Sequence, residues 1–203
     1  MVDNTVYHLM KKKENNKTKI NYNIMANCLL NRNLLRSTNC AYQLPEIVDI
    51  YLVNKEELES AHTTADTAGC ESITAITLTS GSSAYHIEPA KNSASFEDVL
   101  VVTDAGTKYR TASITFNISG AYDGCQHSAL DSLALGRYFV VVKTADGGYI
   151  GFGRLAPLEA ETATIAGGSD NNGLQIVLSG NQAESGLPLT EDAITQLLGY
   201  VAA

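Results

Sequence analysis

Tryptophan is missing from this chain, and only 18% of its residues are charged. None of the four cysteines (Cys28, Cys40, Cys70, Cys125) forms a CxxC pair. None of the four histidines (His8, His62, His86, His127) stands at zinc-ligand spacing from a cysteine, which excludes the common structural zinc sites. The cysteines are expected to be reduced, partly buried thiols. Neither HExxH nor GxSxG occurs, so two widespread hydrolase signatures are excluded. No apolar run reaches transmembrane length, and no membrane partner is expected. The first 24 residues hold no apolar core of signal-peptide length. The expectation is a protein that is not secreted, which leaves the Asn117-Ile118-Ser119 sequon without consequence.

Partial motifs are explained more simply than by chemistry. Gly151-Phe152-Gly153-Arg154-Leu155-Ala156 matches a GxGxxA dinucleotide loop in letters. No βαβ unit surrounds it, and Pro157 with the following Thr/Ala run does not open a helix, so these glycines are expected to let strands bend or approach closely. Asp170-Asn171-Asn172-Gly173 lacks the alternating oxygen ligands and terminal Glu of a calcium loop, and reads as an Asx-stabilised turn. In Cys125-Gln126-His127 a thiol lies near an imidazole in sequence, but side chains at that spacing point apart. Glu56, Glu57 and Glu59 form a solvated acidic run. No catalytic residue, cofactor-binding residue or metal ligand is assigned, and the chain is not expected to be an enzyme.

What the chain does have is Thr, Ser, Ala and Gly in abundance, a composition suited to β-structure with a smooth, weakly charged surface. The charge is unevenly placed. Residues 1–24 carry five lysines against Asp3 and Glu14, a net +3, within a formal total of −8, so residues 25–203 carry −11. An acidic body repels nucleic acid and suits a conduit through which DNA slides without sticking. The character changes at Met25, and residues 1–24 are expected to be a translated leader or a disordered basic tail. Residues 25–44 read as an N-terminal arm.

From residue 45 the pattern is β. Ile47–Val53 is a β-rich apolar run, and Ile73–Leu78 alternates strictly. The polar stretch between them (KEELESAHTTADTAG) reads as a loop or short helix. Ser80–Ser83 is a turn, and Ala84–Glu88 starts another strand. Residues 89–108 form a long polar excursion, expected to be an extended hairpin arm turned at Asp104-Ala105-Gly106. Tyr109–Ile118 alternates again. Cys125–Gly136 has helical spacing, with Gly136 at its stop. Tyr138–Thr144 and Tyr149–Arg154 flank Asp146-Gly147-Gly148, where Asp-Gly is expected to supply the positive φ angles of a tight hairpin. A polar loop rich in Gly, Ser, Asp and Asn then leads to a strand at Leu174–Leu178. Thr190 is placed to cap a short C-terminal helix, with Glu191 and Asp192 in its first turn. Seven or so strands without helical crossovers predict a mainly β (α+β) fold over residues 45–203. It is an antiparallel β-sandwich or half-barrel with one flanking helix and a long hairpin arm.

Four segments carry a family resemblance: PEIVDIYLVNKEEL, then ESITAITL with YHIEPAKNSASF, then KYRTASITFNIS, and finally LALGRYFVVVKTADGGYIGFGRLAPLEA with GGSDNNGLQIVLSGNQAE. In this order, across most of residues 45–184, the chain resembles the tail tube-like structural proteins of bacteriophages that infect Bacteroidetes. The resemblance implies a β-sandwich or half-barrel with a flanking helix, and six copies closing into a homohexameric ring. It further implies stacked rings in the virion tail, other tail or neck proteins as partners, and DNA passing through without specific binding. Residues 89–108 would be the arm reaching an adjacent ring or subunit. The helical end GLPLTEDAITQLLGYVAA departs from the family's usual Pro- and acid-rich tail, so a terminator or neck ring is another position for it. The alternative is a non-enzymatic β-sandwich binding or decoration module on the virion surface.

Overall fold

The computed structural model describes residues 46–65, 69–119, 124–166 and 173–202. The leader, the N-terminal arm and most of the Asp170–Gly173 turn lie outside them.

The fold is built around two strands, β1 (Ile47–Asn54) and β7 (Arg137–Thr144). They pair antiparallel from Ile47 opposite Thr144 to Asn54 opposite Tyr138, with an irregularity between Ile47 and Asp49. Both strands are apolar almost throughout because both of their faces are buried. On one face Ile50, Leu52, Val140 and Val142 pack against Ile114, Phe116, Ile176 and Leu178. Those partners belong to β6 (Lys108–Ser119) and β10 (Gly173–Gln182). On the other face Tyr51, Val53, Phe139 and Val141 meet Ile73, Ile76, Ala193 and Leu197. These come from β3 (Glu71–Leu78) and the C-terminal helix α2 (Glu191–Gly199).

The main sheet completes itself around that pair. On one side β1 also pairs with the short β4 (Tyr85–Ile87). On the other, β7 pairs with β8 (Tyr149–Phe152) over Val140–Lys143 and with β9 (Leu158–Ala166) at Arg137 and Tyr138. β8 in turn carries β11 (Leu187–Pro188). From β9 the order runs β10, β6 and β5 (Ser95–Val102), every named pairing antiparallel. The chain turns from β8 to β9 at Gly153, whose φ is +85°. A Cβ there would lie 2.8 Å from the Tyr138 carbonyl oxygen. This bend swings β9-β10-β6-β5 over β4-β1-β7, giving an open half-barrel rather than a closed one. A separate sheet of β2 (Leu58–Ala65) and β3 covers the other face together with α2. The flanking helix α1 (Gly124–Leu135) brings buried Leu130 and half-buried Leu133 to the half-barrel core.

The β class, the antiparallel pairing and the flanking helix agree with the sequence expectations. Several local expectations are corrected. Residues 58–65 are strand β2, not a loop or helix. Two register shifts against β3 break the alternation that would have marked it as a strand. The polar loop after Pro157 begins with strand β9, whose residues Glu161–Ile165 are exposed and are held by the ladder to β10. The described residues therefore form eleven strands instead of seven. At Asp146-Gly147 only Gly147 has a positive φ, +90°. Gly147 donates to the Thr144 carbonyl and Thr144 to the Gly148 carbonyl, which makes a three-residue loop with a left-handed glycine. The turn at Thr103–Thr107 repeats this geometry, with Gly106 at φ +81°. Gly136 does follow the last residue of α1, as expected, and a Cβ there would also run into the Tyr138 hydroxyl. Thr190 sits at the helix N-cap, but its hydroxyl is buried without a partner and caps nothing.

Gly147→Ala and Gly153→Ala separate backbone strain from crowding. Gly147 has open space around it, so its variant should lose only about 1 kcal/mol. The Gly153 variant adds a clash with backbone and should lose about 2–3 kcal/mol. Urea denaturation of both measures the difference, and equal losses would remove the crowding argument.

Candidate assembly surfaces

The four-stranded arm β9-β10-β6-β5 has one face in the core and one outside. The register gives the outer rows directly. Ser95, Thr115, Val177 and Thr162 stand side by side, as do Glu97, Ser113, Ser179 and Glu159. Val99, Thr111 and Asn181 make a third row, with Thr111 donating to Asn181 Oδ1 at 3.1 Å. Asn117, Gln175 and Thr164 make a fourth. These rows are hydroxyls and amides with Val99 and Val177 among them, and they hold two carboxylates and no lysine or arginine. The one arginine of β6, Arg110, points to the other side and is bound to Asp98 at 2.6 Å.

β5 closes the arm as an edge strand, bonded to β6 alone. Val99, Leu100 and Val102 are 51%, 54% and 56% exposed. This edge has no lysine, proline or bulge; Glu97 and Asp98 are its charges, and its last four residues, Val99–Val102, are the apolar stretch open to another strand. The β5–β6 ladder continues to Val102 opposite Lys108, whereas β10 stops at Gln182 opposite Arg110. Only the tip of the hairpin therefore projects; the rest of the expected arm is part of the sheet.

At the other end of the half-barrel, α1 leaves a cleft of about 480 Å³. Leu52, Ile87, Ile118, Leu130, Leu133 and Leu174 line it, with Asn54, Tyr85 and Ser132 among its few polar groups.

One polar cluster lies beside the β3-facing core. Asp49 is buried, accepts from Lys143 Nζ at 2.6 Å and is 2.9 Å from His86 Nε2. The His86 ring stacks on Tyr51 with centroids 5.0 Å apart. Burial raises the Asp49 pKa, but the bonds to Lys143 and His86 outweigh it and hold the carboxyl below its ordinary value. Burial, the Asp49 charge and Tyr149 push the Tyr51 phenol up to about 12. With Glu88, Asp49 and His86 form the one His/carboxylate cluster of metal-ligand proximity among the described residues. Lys143 already neutralises Asp49, so the group reads as a clamp joining β1, β4 and β7.

The residues singled out by sequence fall where chemistry is weak. Gly151 lies in β8, where a Cβ would meet the Ile73 side chain at 2.8 Å, so the glycine serves packing against β3. Glu56 is exposed and pairs with Arg137. Cys70 is half-buried, while the side chains of Cys125 and His127 lie outside the described residues. Among the described residues no helix is long and apolar enough to cross a membrane. The β5 edge was signalled by the run DVLVV, whereas the cleft has no sequence signal because six separate elements build it. In comparisons with protein families, curated proteins and solved structures, nothing matches this chain.

The clamp has a pH signature. The Asp49 carboxyl sits below its ordinary 3.8, so its contribution is present above that value and is lost as pH falls through the folded value. Lys143 is held above its ordinary 10.5 chiefly by its bond to Asp49, so its share is lost only as pH rises through the folded value. Lys143→Met should therefore lower the melting temperature by about 2–4 °C at neutral pH, and the gap should close in acid, as pH falls below the ordinary carboxylate range. A gap that persists unchanged in acid would show that packing of the lysine stem, not the charge pair, is responsible.

Proposed function

We propose that this protein is a structural subunit that assembles with its own copies into rings of a phage tail tube, or of a related tail or neck ring, around a DNA passage. The open β5 edge carries the proposal. A strand bonded on one side, with Val99, Leu100 and Val102 exposed, gains hydrogen bonds and buried area by pairing with a second subunit. Head-to-tail pairing that closes on itself gives a ring. The outer face of the same sheet supports the conduit. Hydroxyls, amides and two carboxylates with no cation offer a polyanion neither charge neutralisation nor counterion release. The resemblance across residues 45–184 points the same way.

Purified protein should form rings or tubes by negative-stain electron microscopy and light scattering. A strictly monomeric species at high concentration would overturn the reading. Val99→Lys with Val101→Lys on the edge should abolish assembly while moving subunit stability by only about 0.5 kcal/mol. The parent particles should retain no DNA. Particles of the Glu97→Lys/Glu159→Lys variant should retain it in a salt-sensitive way. Equal retention by both would remove the role given to this face.

A further inference from the structure

The clamp at Asp49 is one part of a wider group on the same strand face. Ile50 pairs with Ile87 and Tyr51 with His86, so one step further along sets Asp49 beside Glu88. On its other side Asp49 is paired with Lys143. Asp49 and Tyr51 are two apart on β1, and His86 and Glu88 are two apart at β4, so these side chains leave the sheet on one face. The donor atoms of Asp49, His86 and Glu88 all lie within 4.8 Å of one another. Stacking on Tyr51 fixes the plane of the His86 ring, with Nε2 directed at Asp49 Oδ1.

Lys143 does not saturate this group. Its ammonium bonds Asp49 Oδ2, whereas His86 meets Oδ1. Glu88 is exposed and forms no ion pair among the described residues. An imidazole that binds a metal is neutral, so two carboxylates face a single ammonium and one negative charge is left uncompensated. A dication held between Oδ1, Nε2 and Glu88 supplies the missing charge without displacing the lysine. One nitrogen and two oxygens on paired strands suit a borderline dication such as zinc(II), with water in the fourth position. Calcium prefers a cage of about six to eight oxygens, which these three side chains do not make. His86 and Glu88 are open to solvent, so an ion has a way in. No spacing motif marks the site, because 37 positions separate Asp49 from His86.

We infer that Asp49 Oδ1, His86 Nε2 and the Glu88 carboxylate bind a zinc-class dication, while Lys143 keeps its bond to Asp49 Oδ2. The site does not depend on self-assembly. Its structural effect is to fasten β4 to β1. Without the ion, β4 has a ladder of three residue pairs and the bonds of neighbouring Ala84, whose amide donates to the Tyr200 carbonyl and whose carbonyl accepts from the Ala202 amide.

The test is calorimetric titration of the untagged full chain, stripped with a chelator, with zinc(II), and separately with magnesium and calcium. Zinc should bind, and at about a hundredfold excess over Kd it should raise the melting temperature by about 5–10 °C. Glu88→Gln removes a ligand that supports nothing else, so the metal-free melting temperature should stay within about 1–2 °C of the parent. His86→Phe removes the nitrogen and keeps a ring on Tyr51. Each variant should bind zinc at least about tenfold more weakly. Lys143→Met removes a like charge beside the ion and should bind zinc more tightly. Cobalt(II) in place of zinc should give the weak visible bands of nitrogen and oxygen ligands. Strong near-ultraviolet thiolate absorption would put the ion on cysteine and overturn the inference. Parent-like zinc binding by both Glu88→Gln and His86→Phe would do the same, as would a response to magnesium or calcium equal to that for zinc, or no zinc binding by the parent.

Discussion

Everything in the fold rests on the β1–β7 ladder being dry on both sides. A sheet with one wet face needs only alternating apolar residues. These two strands need continuous ones, and the sequences IVDIYLVN and YFVVV supply them. Phe139, Val140, Val141 and Val142 are all fully buried, and alternate members serve different cores. The half-barrel and the β2–β3 layer are therefore not independent lobes. Each is anchored to the opposite face of the same backbone ladder. Loss of one core would expose the strands that hold the other.

This arrangement sets what was legible from sequence. β1, β3, β6 and β7 announce themselves because burial of one or both faces leaves a periodic or continuous apolar signal. β2 and β9 do not, for different physical reasons. In β2 the bulges scramble the alternation, and β9 places only its first residues against the core. Their hydrogen-bond partners decide their conformation, and partners are invisible in a local pattern. The Asp49–Lys143 bond shows the same limit, since 94 positions separate its ends. Of the open β5 edge and the α1 cleft, the edge has a local signature and the cleft has none. The cleft belongs to the space between elements and to no single segment.

The distribution of charge follows from the same division of labour. Three cations of the half-barrel and its turns are bound to carboxylates. Arg110 is bound to Asp98, Arg154 to Glu184, and Lys143 to Asp49. Asp98 also accepts from the Gly186 amide at 3.0 Å, tying the loop after β10 to the edge strand. On the arm itself, Arg110 and Lys108 both fall on the side away from the outer face of β9-β10-β6-β5, which carries no cation. A weakly charged face is thus a by-product of how the arm is braced as well as a property of its own residues.

The central ladder joins residue 47 to residue 144, and this has a consequence for the order of events on the ribosome. The β5–β6 hairpin is local and emerges whole about 25 residues before β7 is complete. β1 can make no ladder with β7 until that later strand is available. During synthesis the apolar edge is thus present before the core that orients it. A nascent chain is sticky earlier than it is folded. Crowded polysomes would bring such half-made hairpins together, so productive yield should fall as expression is driven harder.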